Sequence, residues 1–433
     1  MKLRAGLLLF FGSFLLYNLN LREISSQDTI PTRLLPVALI RDGTLTLDGF
    51  FVGELEGTPL PPWVQRVGGR YHSGYPILPA LLALPIYLVP ISLLGGDSWA
   101  LINLLAKLSA SLIAALSVLL VYLSLRRLGG EATALGIALV YALGTSTWSV
   151  SSQGLWGHGT AQFLMAAGIY CALRGEATPG FFHGVGLTTG LMVSTRPTTA
   201  MVGVALLAYG LRRDPRHGVR ALLLCAGVLL AVLGYHLWSF GSPLGGYATL
   251  LEAQASHYGI EGVWATPLGE GLLGLLVSPS RGLLVYSPVL ALALGGIVLA
   301  VLDRRGPLLP YLAAGFAGSL LLLGKYSIWW GGHTFGPRYL VDFLPLLAIF
   351  LLPAWRRQEG SRPWRVVVLA LFAISIAVQL VGAFYYPSPR EVDWNTAPRD
   401  VDVARERLWD WRDPQILRLL RNGPRPMGFA SPD

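Results

Sequence analysis

Charged residues are scarce in this chain, and cysteine is almost missing from it. Only 13% of the 433 residues are Asp, Glu, Lys or Arg, whereas a soluble domain carries about 25%. The two cysteines, Cys171 and Cys225, both stand in apolar stretches, where a free cysteine behaves as a small core residue. They therefore indicate no redox compartment, and the shortage of charge argues against a soluble enzyme.

What the chain has instead is long apolar stretches. Hydrophobic residues make up 53% of the sequence and form blocks such as 105–125 and 364–384. A block of about 20 apolar residues can cross roughly 30 Å of hydrocarbon as a helix. The pattern excludes a disordered chain and a secreted disulfide scaffold, and it predicts an all-α polytopic membrane protein.

The formal net charge of +9 is concentrated in short basic clusters between the apolar blocks. These clusters are Lys2/Arg4, Arg126/Arg127, Arg174, Arg212/Arg213/Arg216/Arg220, Arg304/Arg305 and Arg356/Arg357/Arg362/Arg365. Such clusters mark the cytoplasmic side of membrane proteins. No continuous basic face with interleaved aromatic residues is present, so nucleic acid is not an expected partner.

Placing every basic cluster in the cytoplasm gives about 11 membrane spans. The predicted helices cover 3–21, 100–125, 132–150, 158–173, 181–195, 198–211, 219–239, 283–302, 307–324, 339–354 and 364–384. The N-terminal run lacks a small-residue cleavage site, so we interpret it as a retained first helix. This path puts the N-terminus in the cytoplasm and the C-terminus on the outer side.

Two long outer loops, 22–99 and 240–281, interrupt this series of helices. The apolar segment 77–94 of the first loop carries three prolines. Because proline removes a backbone donor, we expect a broken, membrane-embedded element there rather than a span. The first loop is thus predicted to hold juxtamembrane helices.

The last 49 or so residues differ in composition from the rest, which divides the chain into a transmembrane domain, 1–384, and a small outer tail, 385–433. In the tail, Asp413-Pro414 has the form of a helix start and Gly423 that of a helix end. We expect a short amphipathic helix between them that packs on the outer face of the bundle.

Ionisable residues within membrane segments are costly and usually functional. On the predicted path they lie at the outer ends of their helices, and further polar residues stand in the outer loops. The first group is Lys107, Arg196, Arg338 and Asp342, and the second includes Asp28, Arg33, Asp42, Asp48, His72, His158, Arg281, Lys325 and His333. The sequence therefore predicts a polar site at the outer leaflet.

Four of these residues are cationic: Lys107, Arg196, Arg281 and Arg338. Fixed cations at the depth of the lipid headgroups suit an anion, and the planar guanidinium fork matches phosphate oxygens. A lipid-linked phosphate or pyrophosphate is the expected ligand. The alternative is that each arginine pairs locally, as Arg338 and Asp342 could do at a spacing of four residues.

Asp28 follows the first predicted helix, and a carboxylate there could accept the proton of an attacking hydroxyl group. The alternative is a solvated loop acid, and we interpret Asp42 and Asp48 as structural turn residues. The outer histidines have no tight metal-ligand spacing. A divalent metal would be compatible with the chemistry, but the sequence predicts no metal site and no certain cofactor.

Several motifs resemble those of the GT-C glycosyltransferases, polytopic enzymes that take sugars from polyprenyl-phosphate donors at the outer leaflet. The motifs are QDTIPTRLLP at 27–36, YHSGYPILPALLALP at 71–85, LWGH at 155–158, SRGLLVYSP at 280–288 and WWGGHTFGPRYLVDFLP at 329–345. With the helix pattern, the resemblance covers most of the chain up to about residue 385. Protein mannosyltransferases and lipid A aminoarabinose transferases are members of the group that it suggests.

The resemblance implies a role for most of the polar residues. Asp28 matches the first-loop acid that acts as general base, and Arg196-Pro197 resembles a Lys-Gly-Pro turn of the family. His72 stands where relatives have a Lys or another polar group, and His158 stands where many have an acid. The implied donor-phosphate ligands are Arg338, Arg281, His333, His72, Arg196 and Lys107, with Arg33, His158, Asp342, Trp329 and Trp330 in support.

These observations together predict an inverting sugar transfer from a polyprenyl-phosphate (or pyrophosphate) donor to a glycan, lipid or protein acceptor. The expected location is the cell membrane of a bacterium or archaeon, with the site on the outer side. A flippase or exporter of lipid-linked sugars would also need cations facing a phosphate. A non-catalytic scaffold of the cell envelope is a third alternative, which the presence of Asp28 disfavours.

Overall fold

The structure is a computed structural model that describes residues 2–24, 26–51, 60–61, 63–260, 262–303 and 306–429. Helices dominate the described chain, as the apolar blocks predicted. One basic pair used to orient the predicted spans, Arg304 and Arg305, lies outside the described residues.

The first half of the chain contains ten helices within its described part, and a short hairpin. They are α1 (Lys2–Tyr17), α2 (Thr29–Asp42), α3 (Asp48–Phe51), β1 (Val64–Val67), β2 (Arg70–Ser73), α4 (Leu78–Leu94), α5 (Trp99–Leu128), α6 (Glu131–Leu143), α7 (Gly157–Gly175), α8 (Phe182–Thr195), α9 (Ala200–Arg213) and α10 (Pro215–Phe240). A π-helical turn, Thr147–Ser151, precedes α7, and the 3₁₀ turns Pro179–Phe181 and Pro197–Thr199 precede α8 and α9.

The second half continues with shorter helices and one long one. They are α11 (Tyr247–Tyr258), α12 (Leu268–Val277), α13 (Leu283–Tyr286), α14 (Ala291–Asp303), α15 (Leu309–Lys325), α16 (Leu344–Phe350), α17 (Leu352–Glu359), α18 (Arg362–Tyr385) and α19 (Gln415–Asn422). The 3₁₀ segments are Pro288–Leu290, Arg338–Phe343 and Arg405–Trp409.

Three helices of the described chain are long and apolar enough to cross a membrane by themselves: α5, α10 and α18. A fourth candidate is the pair formed by residues 338–350 and 352–358, which is bent by 42°. Several shorter apolar helices, including α4, α6 and α15, fall below that length. The apolar helices fit a membrane location, while the count of about 11 spans and the orientation of the termini stay predictions.

The helices pack around α5, α7 and α8 in one large apolar core. One of the close approaches between helices is that of α8 and α10. A Cβ atom added to Gly186 would lie 2.1 Å from the carbonyl oxygen of Ala221, far inside van der Waals contact. Glycine therefore lets the two helix backbones touch, as small residues commonly do between membrane helices.

The first loop contains more structure than the sequence predicted. The segment 77–94 is not broken: α4 is a continuous helix that contains Pro85 and Pro90. Each proline removes a single backbone donor, and the neighbouring helical bonds keep the segment in one piece. The antiparallel hairpin β1–β2 was not predicted either, and the Asp48 carboxylate fixes it by accepting the Tyr71 N–H at 2.7 Å. The structural role expected for Asp48 is thus confirmed.

The second loop and the tail are also ordered. Helices α11 and α12 lie within the predicted loop 240–281. The expected tail helix is present as α19, which begins after Pro414 and ends before Gly423, whose φ is +78°. Leu419 of α19 is fully buried in an apolar cluster with Tyr286, Phe335 and Val381. The tail helix therefore packs on the bundle.

The predicted helix 339–354 differs in its first turns. Residues Arg338–Phe343 form a 3₁₀ segment, and α16 begins only at Leu344. Pro337 precedes this segment instead of occupying the first turn of an α-helix. No α-helix therefore begins next to Arg338, and the 3₁₀ segment positions this residue instead.

Candidate functional site

Asp28 lies immediately before α2, in the half-in flanking position of that helix. Its carboxylate does not cap the helix. It forms an ion pair with the Arg338 guanidinium instead, and Oδ1 accepts a hydrogen bond from the Tyr75 hydroxyl at 3.0 Å. The sequence did not predict this ion pair, because a residue more than 300 positions away supplies the counter-charge.

Arg338 joins Asp28 to a second group of polar residues. Its Nε donates to His158 Nε2 at 3.2 Å, and its Nη1 donates to the Gly331 carbonyl at 3.2 Å. The guanidinium also lies over the Trp156 ring, 4.9 Å from the ring centre. Arg338 does not pair with Asp342, since residues four apart do not face each other on a 3₁₀ segment.

Asp342 has its own partners at the buried end of the group. Oδ1 lies 2.8 Å from His158 Nδ1, and Oδ2 accepts a hydrogen bond from Arg196 Nε at 3.3 Å. Because His158 Nε2 accepts a hydrogen bond from Arg338, the network places the imidazole proton on Nδ1, which donates a hydrogen bond to Asp342. The break between α8 and α9 at Arg196-Pro197 brings Arg196 to this position.

These five residues, Asp28, His158, Arg196, Arg338 and Asp342, are named the Asp28–Asp342 cluster below. They come from four separate parts of the chain and form one continuous chain of ion pairs and hydrogen bonds. With a neutral His158, two carboxylates balance two guanidinium groups. No carboxylate is left without a cationic partner, so the cluster does not fit a divalent metal ion.

A narrow cavity opens beside the cluster. Its volume accessible to a water-sized sphere is about 20 Å³, and it is lined by Asp28, His158 and Arg196 together with Tyr75, Trp156 and Tyr247. Three aromatic side chains therefore stand next to the charged groups. The sequence prediction did not name these aromatics, although Tyr75 and Trp156 belong to the motifs that carried the family resemblance.

A larger apolar groove of about 220 Å³ adjoins this cavity, because Tyr75, Pro76 and Tyr247 line both. Its other walls come from the start of α4, the end of α8 and the last turns of α10. Most of α10 is exposed apolar surface, including Leu223, Leu230 and Trp238. The groove thus connects a lipid-facing helix with the Asp28–Asp342 cluster.

Arg281 is not part of this site, although the sequence suggested it as a phosphate ligand. Its side chain is 1% exposed and donates five hydrogen bonds to groups of its own surroundings. The acceptors are the carbonyl oxygens of Ser280, Trp330 and Gly332 and the side chains of Asn395 and Gln415. Since a guanidinium has five N–H donors, no donor remains for a phosphate. Arg281 thus links the tail to the helix bundle through hydrogen bonds to Asn395 and Gln415.

Lys107 and Arg33 also form their hydrogen bonds with residues outside the Asp28–Asp342 cluster. Lys107 Nζ donates to the Ser152 carbonyl at 3.1 Å and to Gln153 Oε1 at 2.6 Å. Arg33 pairs with Glu23 at 3.1 Å and donates to Asn103 at 2.7 Å. Both side chains are buried, and neither contacts the Asp28–Asp342 cluster. Their charges support the packing of the first loop and of α5.

His72 lies on β2 and packs against the Phe240 ring, with the ring centres 5.3 Å apart. Burial lowers the pKa of His72, with a smaller opposing effect from Asp48 and a further lowering by Arg70. A histidine that resists protonation is a poor partner for a phosphate. The structure does not bring His72 to the Asp28–Asp342 cluster.

His333, Trp329 and Trp330 belong to a different region, the loop 326–337. The two tryptophan side chains are buried. Trp330 Nε1 donates to Asp402 Oδ1 at 2.8 Å. His333 Nε2 lies 2.9 Å from Asp400 Oδ1 and 3.5 Å from Asp402 Oδ2. His333 therefore joins the loop to the tail.

Among solved structures, the fold matches an oligosaccharyltransferase of Archaeoglobus fulgidus with a TM-score of 0.52 at 12% identity. The match covers 94% of this chain and 57% of that one. The chain has the fold of the GT-C membrane glycosyltransferases. It spans little more than half the length of the archaeal protein, so the match concerns architecture alone.

A second solved structure, ArnT from Cupriavidus metallidurans in the apo state, gives a TM-score of 0.49 at 14% identity. That match covers 88% of this chain and 74% of the other. No protein-family model and no curated protein sequence matches the chain.

Proposed function

We propose that the protein transfers a sugar from a polyprenyl-phosphate-linked donor to an acceptor at the outer face of the cell membrane, with Asp28 as the general base. One observation carries the proposal. Asp28, which pairs with the Arg338 guanidinium, lines a cavity that adjoins an apolar groove beside α10. Such a site has a place for a proton acceptor, for a phosphate and for a lipid chain.

Arg338 is the proposed phosphate ligand, and binding would involve an exchange of partners. In the donor-free protein its guanidinium pairs with Asp28, and both side chains keep some exposure, 13% and 18%. A donor phosphate competes with the Asp28 carboxylate for the same planar fork. When the phosphate takes the guanidinium, Asp28 is left next to the acceptor with its proton-accepting oxygen free.

The proposed reaction is a single displacement. The acceptor hydroxyl oxygen forms a bond to the anomeric carbon while its proton moves to the Asp28 carboxylate. The bond between the anomeric carbon and the phosphate oxygen breaks, and the electron pair leaves with polyprenyl phosphate. Arg338 and Arg196 stabilise the charge that develops on that phosphate, which is the electrostatic contribution that usually dominates catalysis. Displacement from the opposite face inverts the anomeric centre.

His158 and Asp342 position the two guanidinium groups in this proposal. Asp342 holds Arg196, and His158 accepts a hydrogen bond from Arg338 while it contacts Asp342. Both are buried, so their geometry is fixed by packing. Tyr75 orients Asp28 through the hydrogen bond that its hydroxyl group donates to the carboxylate. The apolar groove is the proposed place for the first isoprene units of the donor.

The test is to incubate the purified protein in lipid nanodiscs with a panel of polyprenyl-phosphate sugars and to measure free polyprenyl phosphate by mass spectrometry. We expect release with at least one donor, and loss of that release in Asp28→Asn. Asp42→Asn is the matched control, because Asp42 is also a first-loop acid paired with an arginine, but it lies outside the cavity. Equal loss in both variants would contradict the role of Asp28.

The same assay separates the proposal from the alternative of a flippase. A flippase would move the intact donor across the bilayer without breaking the bond to the phosphate. Translocation of a labelled donor with no release of polyprenyl phosphate across the whole panel would therefore favour that alternative.

A further inference from the structure

A second group of titratable side chains lies where α11, the loop 326–337 and the tail meet. It consists of His257, His333, Asp400 and Asp402 and is named the His333 cluster. One ligand atom each from His333, Asp400 and Asp402 lies within 4.8 Å of the other two. His257 Nε2 is 4.0 Å from Asp402 Oδ2. The cluster shares no residue with the Asp28–Asp342 cluster.

The two carboxylates of the His333 cluster have few cationic partners. In the part of the chain that the structure describes, their ion-pair partners are histidines and not arginine or lysine. The nearby Arg405 is occupied, since its guanidinium donates to the backbone carbonyls of Tyr258 and Asp402 and stacks on the Trp330 ring at 4.8 Å. Two adjacent carboxylates with no arginine or lysine partner in the described chain form a site that suits a cation.

The geometry is close to what a small transition metal requires. Zinc binds histidine nitrogen and carboxylate oxygen at about 2.0–2.2 Å, which places the donor atoms of a tetrahedral site roughly 3.4 Å apart. The contacts of His333 Nε2 with Asp402 Oδ2 at 3.5 Å and of His257 Nε2 with the same oxygen at 4.0 Å are near that separation. The ligand atoms of His333, Asp400 and Asp402 lie within 4.8 Å of one another, and His257 joins them through its contact with Asp402.

A further contact resembles the outer shell of a metal site. Trp330 Nε1 donates to Asp402 Oδ1 at 2.8 Å, which leaves Oδ2 facing the two histidines. Asp400 Oδ1 accepts the backbone N–H of Asp402 at 2.9 Å. Hydrogen bonds of this kind orient ligating carboxylates. Asp402 is 8% exposed although it carries a charge, so the protein holds this carboxylate in place.

We propose that His333, Asp400 and Asp402, with His257 as the fourth ligand, bind a divalent transition metal ion such as Zn²⁺. The mixture of imidazole and carboxylate donors selects metals of this class over Mg²⁺ or Ca²⁺, which prefer oxygen donors alone. The bound ion cross-links α11, the loop 326–337 and the tail. Its role is structural, and it is independent of the sugar transfer proposed above.

Ligands from separate segments explain why the sequence gave no indication of this site. Asp400 and Asp402 lie about 70 residues after His333, and His257 lies about 70 residues before it. The spacing is not that of a compact zinc motif. Only the packing of the tail on the loop brings the ligands together.

The test measures zinc bound to the purified full chain in detergent after treatment with a chelator and dialysis against buffered Zn²⁺. We expect one zinc ion per chain in the wild type and less than a tenth of that in His333→Gln and in Asp402→Asn. Asn at position 402 keeps an oxygen that can accept the Trp330 N–H, so this variant should fold. His236→Gln is the matched control, because His236 lies outside the cluster, where its Nδ1 is hydrogen-bonded to the Pro243 carbonyl and its ring packs against Tyr235 and Phe240.

A second readout makes the result independent of the folding of the variants. Co²⁺ in place of Zn²⁺ should give the visible absorption of a four-coordinate nitrogen and oxygen site in the wild type. Zn²⁺ should also raise the thermal unfolding midpoint of the wild type, because ligand binding stabilises the folded state by mass action. Mg²⁺ should not. Wild-type protein that binds no zinc, or cluster variants that bind as much as His236→Gln, would overturn the proposal.

Discussion

The exchange of partners proposed for Arg338 makes Asp28→Asn an informative substitution. Asparagine has nearly the shape of aspartate, and its oxygen can still accept the hydrogen bond from Tyr75. It has no negative charge, so it neither accepts the acceptor proton nor competes with a phosphate for Arg338. We therefore expect that the variant loses turnover while it keeps or improves its affinity for the donor.

The two effects differ in sign and can be measured separately. Loss of a general base costs about 10²–10⁴ in rate, or roughly 2.7–5.4 kcal/mol in the activation free energy. The Arg338 and Asp28 side chains are only 13% and 18% exposed, so loss of the carboxylate leaves a mostly buried guanidinium without its counter-charge. Removing the competing carboxylate should therefore tighten donor binding while the rate falls.

The assay combines single-turnover release of polyprenyl phosphate with equilibrium binding of the donor to protein in nanodiscs. The contradicting result is a loss of donor affinity as large as the loss of rate. It would mean that Asp28 acts by positioning Arg338 and not as the base. A variant that keeps more than about a tenth of the wild-type rate would exclude the base role directly.

Four further predictions follow from other contacts. Arg338→Ala should weaken donor binding by about 1.5–3 kcal/mol, the value of a hydrogen bond to a charged group. Arg338→Lys should not keep the wild-type affinity, because an ammonium group lacks the planar fork. Titration of each variant with the donor measures both effects. The pKa of His72 is lowered in the folded state, so as the pH falls the unfolded chain binds a proton at His72 before the folded chain does. The stability of the fold should therefore decrease as the pH drops below about 6.5. His72→Gln should remove this decrease from a plot of the thermal unfolding midpoint against pH. Gly186→Val should lower the thermal midpoint by separating α8 from α10 at a cost of about 1–3 kcal/mol, whereas Gly227→Ala, with nothing within 4 Å of an added Cβ, should not. Asp97→Cys, in a background without the native cysteines, should react with an impermeant thiol reagent in intact cells. Asp97 is 95% exposed, and the predicted path puts it on the outer side. Reaction only after permeabilisation would mean that α4 crosses the membrane.

The sequence predicted much of the charged site because charge is so rare in this chain. Asp28, Arg196, Arg338 and Asp342 stand out against apolar surroundings, and burying a charge inside a bundle requires a partner. The structure accordingly brings these four residues together, with His158 among them. What the sequence could not predict was the pairing. It suggested that Arg338 and Asp342 neutralise each other, but that requires an α-helix where the chain forms a 3₁₀ segment.

The same reasoning failed for Arg281 and Lys107 for a physical reason. A buried cation requires hydrogen-bond acceptors, but a phosphate is only one way to supply them. Arg281 finds its acceptors in the backbone of the loop 326–337 and in the tail, and Lys107 finds them in the segment before α7. Every residue has a backbone carbonyl group, so the sequence does not show which of them accept hydrogen bonds from a buried cation. A cation that serves packing therefore looks the same as a cation that serves a ligand.

The remaining difference between these arginines lies in what surrounds their donors. Every donor of Arg281 has a protein acceptor, and the side chain is 1% exposed, so a ligand could reach it only after the tail had moved. Arg338 instead pairs with a carboxylate that lines a cavity. An anion can replace that carboxylate without leaving a buried group unsatisfied, because Asp28 becomes the partner of an incoming hydroxyl. Exchangeable pairing at a cavity, and not burial or charge alone, is therefore the property on which the proposal of Arg338 as the phosphate ligand rests.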